Sequence, residues 1–434
     1  MTKFNETVYM NENFRDEKIS LKIIIITLFL SFILFIALTG EGIVIPVFPL
    51  YLETFNAGAF ELGLLIGIFA LTSLILSPII GAYADKYGRR LFILLGLGGF
   101  GIANILYIQA VSFPELLFFR IIEGATASGI GPIVNAMLID IIPKEHRGRY
   151  LGIANGGGFL GIILGPFLGG ILVQDGNFAR PFEITAFIAF VGMIAALLIL
   201  PNDMAYFKSK EHKKVAKNYN FKEKMDFRKW LMTGTISLFL TLMFMRFAGL
   251  VSWTLIEPSV SFYLYGQNYD SLAVGLYFSC YGITMMFGEI FLGGLSDRIG
   301  RKIVLNVGFF FYLLGFIFLI NTNQLWRFYL SGALNGIGLS LVIPAVVAIL
   351  ADITENETDR GKVMGFYYGI FYFASIVGPA FGGWLGDLFD LNFVVHISVL
   401  TVALAFLASL IIKVPKKERI ILQNNFSEPY EIPN

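Results

Sequence analysis

Four charged side chains stand inside apolar stretches where charge is expensive: Glu41, Arg120, Glu123 and Arg246. In a membrane-spanning helix each costs roughly 2.5–3.5 kcal/mol on insertion scales, so its presence argues for a task. Arg120 and Glu123 are three residues apart, share one helical face and can pair. Gly124, Ala127, Ser128 and Gly131 continue that face with small side chains, leaving room for a neighbouring helix or a water-filled cavity. Burial favours the protonated form of a carboxyl and a nearby guanidinium favours the ionised form, so small movements can load or release a proton. Glu41 or Glu123 can therefore carry a proton with Arg120 setting its affinity; the plainer alternative is a static Arg120–Glu123 tie between helices. Arg246 suits an anionic group or a carboxylate partner. Glu257 and Glu289 fall near the ends of their apolar stretches and read as mouth or interface residues, while His146, in a basic loop, reads as a surface residue.

These side chains must be held by helices. The chain has 434 residues, of which 56% are hydrophobic and only 15% charged, with a mean hydropathy of +0.73. Its apolar runs are long and continuous rather than alternating, which selects helices over a barrel. Twelve spanning helices are expected over about 22–53, 59–83, 91–111, 114–142, 147–173, 181–201, 230–264, 270–295, 303–321, 325–352, 361–387 and 391–413. Residues 1–21 then form an N-terminal segment, 202–229 a basic linker and 414–434 a tail, all cytoplasmic. The first apolar stretch is too long for a signal-peptide core. Of the 32 Lys and Arg residues, 28 fall in the termini and loops of one side, a positive-inside asymmetry that places both termini in the cytoplasm. A net charge of +1 gives no pull toward nucleic acid, and the single Cys280 excludes a disulfide framework or a cysteine-rich metal site.

The chain repeats itself. Gly81-Ala-Tyr-Ala-Asp85-Lys-Tyr-Gly88-Arg89-Arg90 returns 212 residues later as Gly293-Gly-Leu-Ser-Asp297-Arg298-Ile-Gly300-Arg301-Lys. Pro46, Tyr51, Pro132 and Asp140 map on Pro258, Tyr263, Pro344 and Asp352 at the same offset, and Gly165-Pro166 with Gly169-Gly170 on Gly378-Pro379 with Gly382-Gly383 one residue later. Two six-helix halves, 22–201 and 230–413, therefore share one orientation, an arrangement that puts a solute site near the midplane between them. Arg120 and Glu123 have no counterparts, since Gly332 and Asn335 stand there; a feature of one half alone favours function over shared structure.

The doubled G-x-x-x-D-[RK]-x-G-R-[RK] signature resembles that of the major facilitator superfamily, and the resemblance covers essentially the whole chain. It implies a cytoplasmic gate of Gly81, Asp85, Gly88, Arg89, Arg90 and Asp140 with Gly293, Asp297, Arg298, Gly300 and Arg301 that holds an outward-open state. In it Asp85 faces a helix end of the other half, Arg89 pairs with Asp140, and Gly81 and Gly88 serve close backbone approach. The fifth segment, with Gly157, Gly161, Gly165, Pro166, Gly169 and Gly170, resembles the antiporter signature of drug:proton exporters; physically it is a cleared face for a neighbouring helix. Pro46 and Pro49 resemble the proline pair of that branch. Arg120-Ile-Ile-Glu123-Gly is close to its R-x-x-Q-G pattern, with a titratable Glu in place of Gln.

The leading expectation is thus a secondary antiporter that expels a lipophilic or cationic compound in exchange for protons, with no cofactor beyond the proton gradient. Its partners are a small-molecule substrate, protons and the lipid bilayer, and the chain is expected to be a monomer in a prokaryotic cytoplasmic membrane. A symporter or facilitator for a sugar, nutrient or organic anion, with Arg246 as ligand, is the second reading. A non-transporting receptor, scaffold or enzyme is the third. No nucleotide-binding loop, Ser/His/Asp set or metal cluster stands in the sequence.

Overall fold

The computed structural model describes residues 21–143, 146–174, 176–201, 235–354 and 357–414. The expected N-terminal segment (but for Leu21), the 202–229 linker, the first residues of the seventh segment and the tail beyond 414 lie outside the described residues. In chain order the helices are α1 (Leu21–Glu53), α2 (Ala59–Tyr87), α3 (Arg89–Gln109), α4 (Phe113–Ala127), α5 (Ile130–Ile141), α6 (Arg147–Leu172) and α7 (Ala179–Ile199). The second half comprises α8 (Thr235–Gly266), α9 (Ser271–Leu292), α10 (Leu295–Ile299), α11 (Arg301–Phe318), α12 (Leu325–Ile353), α13 (Glu357–Leu388) and α14 (Leu391–Ile411). Twelve spans are long and apolar enough to cross a membrane, α4 and α5 counting as one, and no strand occurs among the described residues.

Two of the expected helices are interrupted. The fourth span breaks at Ser128–Gly129. Pro132 has no N–H for the Ser128 carbonyl, and three glycines within eight residues weaken the same turn. The eighth span ends at Leu292 rather than 295, and Gly293-Gly294 leads into the short α10. Its image α2, with Gly81-Ala82 there, runs on unbroken to Tyr87. After each signature loop the chain turns through Gly88 and Gly300, both at φ 100°, a conformation that disfavours any residue with a Cβ.

Side-chain packing repeats the sequence symmetry. Gly165 and Gly169 of α6 lie against Gly42 and Ile43 of α1, and Gly161 against Phe35 and Thr39; Gly378 and Gly382 of α13 lie against Thr254 and Leu255 of α8, the images of Gly42 and Ile43. The glycine-rich face thus brings α1 and α6 together within a half. Between halves, α2 packs on α13 and α6 on α9. There Gly63 meets the Pro379 carbonyl and Gly275 the Pro166 carbonyl, again images of one another, while Gly170 meets Ser271 and Gly383 meets Ala59. A side chain on any of these glycines would push apart two backbones, so the contacts are specific to this closed junction.

The halves differ in their cores. The second half is filled by one apolar cluster running from Leu238 to Ile412. The first half has two, one around Ile33, Phe100 and Val134 and the other around Phe48, Tyr107 and Leu116. What separates them is a polar layer of Asn104, Arg120 and Glu123, all buried, crossing beside Gly40-Glu41-Gly42. At the corresponding level of the second half stand Gly332 and the buried Asn335, and the core continues.

Candidate functional site

A cavity of about 550 Å³ lies between the halves. Glu41 of α1, Arg120 of α4 and Glu257 of α8 all line it. Of the two sequence readings of Glu257, mouth or interface, the structure has the second: it lines the cavity between the halves and stands nine residues before the end of α8, roughly 13 Å deep at 1.5 Å rise per residue. The sequence signal was a carboxylate beside Pro258 that the repeat does not share, since Ile45 stands at the image position. Among the described residues neither Glu41 nor Glu257 has an ion pair or hydrogen bond to its carboxylate.

Arg120 and Glu123 form the predicted ion pair, one helical turn apart. Arg120 also donates from Nε to the Leu65 carbonyl at 3.3 Å, and its guanidinium lies over the rings of Phe69 (4.4 Å) and Phe48 (5.4 Å). Glu123 has 0% exposure and lies behind Arg120, outside the cavity wall. Its Oε2 accepts from the Tyr107 hydroxyl at 2.5 Å as well as from Arg120, while Oε1 is buried with no partner. Tyr107, missed by sequence reasoning, is in turn anchored through its carbonyl, which accepts from the Tyr51 hydroxyl at 2.8 Å. The charge of Glu123 is therefore matched by Arg120, and the two carboxylates that line the cavity without an ion pair, among the described residues, are Glu41 and Glu257. Arg246 does not join the cavity; its guanidinium lies over the ring of Phe371, a residue that does line it.

Proline places backbone acceptors along the same wall. Pro46, Pro49, Pro166 and Pro379 carry no N–H for the carbonyls of Gly42, Ile45, Ile162 and Ser375, and all four of those residues line the cavity. Helix carbonyls freed in this way are tolerated inside a membrane protein where they face polar groups or a water-filled space. Ser73, Ser128, Asn155, Ser261, Tyr372 and Ser375 add side-chain hydrogen-bonding groups, and apart from the three charged residues the rest of the lining is aliphatic or aromatic. Such a chamber accepts an apolar body and offers carboxylates to a positive charge.

The cavity is sealed at one end. There the Tyr265 hydroxyl donates to the Pro46 carbonyl at 2.5 Å, and Ser271 donates to the Gly170 carbonyl at 2.6 Å. Asp387 of α13 accepts from the backbone N–H groups of Ala59 (3.1 Å) and Phe60 (2.8 Å), capping α2 from the other half. The opposite end, which carries the signature loops, is apart: Gly81, Gly152, Gly156, Gly294, Gly365 and Gly369 have nothing within 4 Å of where a Cβ would stand.

The signature residues accordingly act within their own halves here. Arg89 pairs with Asp140 at 2.5 Å and with Asp85 at 3.0 Å, and Arg301 pairs with Asp352 and, at 3.8 Å, with Asp297. Arg90 donates to the Leu197 carbonyl of α7. Asp85 and Asp297 are exposed at 63% and 68%, and neither reaches the other half. Close approach at Gly81 is not realised in this conformation, and Gly88 is required by its positive φ rather than by a neighbour. Arg298 is exposed, and Gly293 packs only against its own helix, at the Glu289 carbonyl.

Comparison with known proteins agrees with this architecture. Residues 30–256 and 242–428 match the family model of the Major Facilitator Superfamily. The multi-drug resistance efflux pump PmrA of Streptococcus pneumoniae is 28% identical over 86% of this chain and 93% of its own length. The quinolone resistance protein NorA of Staphylococcus aureus is 25% identical over 83% of this chain and 89% of its own. Among solved structures, a bacterial homologue of the human lysosomal transporter Spinster in an inward-facing, unoccupied conformation superimposes with a TM-score of 0.71 at 17% identity, covering 94% of this chain and 99% of its own. A D-xylose–proton symporter does so with a TM-score of 0.67 at 15% identity over 92% and 98%.

Proposed function

Because the chain belongs to the major facilitator superfamily and is a multi-pass protein of the cell membrane, we propose that it is a proton-coupled antiporter that exports lipophilic or cationic small molecules by alternating access. The observation that carries the reading is the pair Glu41 and Glu257, two carboxylates with no ion-pair contact among the described residues in a largely apolar chamber. A carboxylate in such a place is neutralised either by a proton or by a bound cation, and that competition is the coupling. The names of the efflux relatives support the same direction of transport.

In this scheme the end bearing the signature loops faces the cytoplasm, as the Lys/Arg asymmetry suggests. A substrate cation enters there, lies against Phe48 and Phe371, and takes the place of a proton on Glu41 or Glu257; that proton leaves to the cytoplasm. Closure at the signature loops and opening at the Asp387 end exposes the site outside. There a proton adds to the carboxylate, the cation departs, and the neutral site returns. Arg120, fixed by Glu123 and two rings, keeps one positive charge beside Glu41 and so prevents the site from holding a cation too tightly. A membrane potential of 100 mV contributes about 2.3 kcal/mol per charge moved, which adds to the proton gradient when more protons enter than charges leave.

Inside-out membrane vesicles with an acidified lumen test the direction. A fluorescent lipophilic cation added outside is expected to accumulate in the lumen as protons leave, and an uncoupler should abolish this. Solute and protons moving the same way, with a sugar or organic acid as the transported species, would establish symport instead.

A further inference from the structure

Arg246 is the buried cation that the transport scheme leaves unused. It lies on α8, 8% exposed. Arg89, Arg120 and Arg301 each meet a carboxylate, on Asp140, Glu123 and Asp352. Arg246 has no carboxylate within ion-pair distance among the described residues. Its guanidinium lies instead over the rings of Tyr367 (4.6 Å) and Phe371 (5.6 Å), both on α13. Ring faces attract the charge but accept none of its N–H groups. The Nε–H is sealed from solvent without an acceptor, and so is the hydroxyl of Tyr367. Glu289 of α9 makes no ion pair with Arg246 among the described residues.

Two buried polar groups on neighbouring side chains, one of them charged, thus each lack a hydrogen-bond partner. Leaving such groups unmade is costly, and an anion satisfies both at once. Phe371 is common to this place and the central cavity: its ring lies 5.6 Å from the Arg246 guanidinium, and the residue lines the cavity. We propose that Arg246 and Tyr367 form a binding subsite for a small monovalent anion, a halide or a carboxylate, entered from the central cavity past Phe371. A carboxylate engages the guanidinium fork through two parallel hydrogen bonds, and a halide takes the Nε–H with the Tyr367 hydroxyl. Occupancy neutralises Arg246, so that the charge state of the cavity is left to Glu41, Glu257 and Arg120. The subsite does not rest on the export reading and holds for an importer equally.

Thermal unfolding of the purified full chain in detergent tests it, at fixed pH and ionic strength, with a bulky organic sulfonate replaced stepwise by chloride in one arm and by acetate in the other. The expected result is a saturable rise in midpoint of about 2–5 °C in at least one arm. The arm that responds distinguishes halide from carboxylate. Arg246→Gln should abolish the response, and Tyr367→Phe should move its half-saturation to several-fold higher anion concentration. A wild-type midpoint that is insensitive to both anions would overturn the proposal, whether or not the Arg246 variant folds. So would a folded Arg246→Gln protein that keeps the full wild-type response.

Discussion

Glu41 and Glu257 look into one cavity from opposite halves without being images of each other. The repeat carries Glu41 onto Trp253, one helical turn before Glu257, and carries Ile45 onto Glu257. Trp253 is stacked on Tyr281 at 4.1 Å, as part of the second half's continuous core. The fold is symmetric, then, and its charges are not: Glu41 and the Arg120–Glu123 pair in the first half, Glu257 on the cavity and Arg246 behind it in the second. A symmetric scaffold lets the two ends exchange roles during alternating access, while asymmetric charges give the site a direction in which to bind.

The Arg120–Glu123 pair should behave as a buried ion pair whose members are worse alone than absent together. Arg120→Gln leaves Glu123 uncompensated at 0% exposure, and a loss of about 3–5 kcal/mol in unfolding free energy is expected. Glu123→Gln keeps the size and the hydrogen bond from Tyr107 but frees a buried guanidinium, with a loss of similar sign. The double variant Arg120→Gln/Glu123→Gln should be more stable than Arg120→Gln. Denaturation in detergent measures all three, and strictly additive losses would contradict the pairing.

Asp387 caps α2 only while its end of the cavity is shut, because the acceptor comes from the opposite half. The repeat image of this helix start is different: Asp270 caps its own α9, accepting from the Ala273 N–H at 2.9 Å, where Gly58 of α2 has no side chain to offer. Losing a cap costs about 1 kcal/mol, equivalent to a roughly fivefold shift in a two-state equilibrium. Asp387→Ala should therefore favour the form open at that end. The readout is labelling of a cysteine placed at Asn155, a cavity residue, in a Cys280→Ser background; slower labelling from the signature end is expected, and an unchanged rate would refute the latch.

Glycines at the two ends should sort by conformation. Gly63→Val and Gly275→Val each drive a side chain into a facing carbonyl, so both should disfavour the conformation described here. Gly156→Val and Gly369→Val meet open space. They should leave this conformation and its thermal stability intact while obstructing closure at the signature loops. Transport lost with normal Asn155-site labelling is the expected signature of the second pair; normal transport by both would show that these faces never meet.

The signature glycines divide in the same manner. Gly88 and Gly300 sit at φ 100°, so Ala at either position should cost about 1–2 kcal/mol in unfolding free energy. Gly81→Ala, with empty space around it, should be near neutral in the same assay while still impairing transport if Gly81 packs in the alternate state.

Much of this was legible in the chain itself. Twelve apolar runs and a fixed offset between Asp85 and Asp297 specify the halves, because hydropathy and repetition are local properties. The Arg120–Glu123 pair followed from helical spacing alone. Glu257 did not, because its depth depends on where α8 ends and on Tyr265 sealing that end against Pro46, a contact between halves. Glu123 and Glu41 looked alike in sequence; only packing puts Tyr107 and Arg120 over the first and open space beside the second. The partner of a small-residue face is likewise tertiary information, as Gly165 against Gly42 illustrates. Nor does a sequence record which of its conformations is occupied, which is why Asp85 was expected across the halves and is found exposed.

The most direct test compares wild type, Glu41→Gln, Glu257→Gln and the double variant in proteoliposomes with an acidic, dye-loaded lumen. Proton release on adding a lipophilic cation outside should be strong in wild type, much reduced in each single variant and absent in the double variant. Binding of the cation to the double variant should also lose its dependence on pH. Wild-type proton release from the double variant would contradict the assignment of coupling to these two carboxylates.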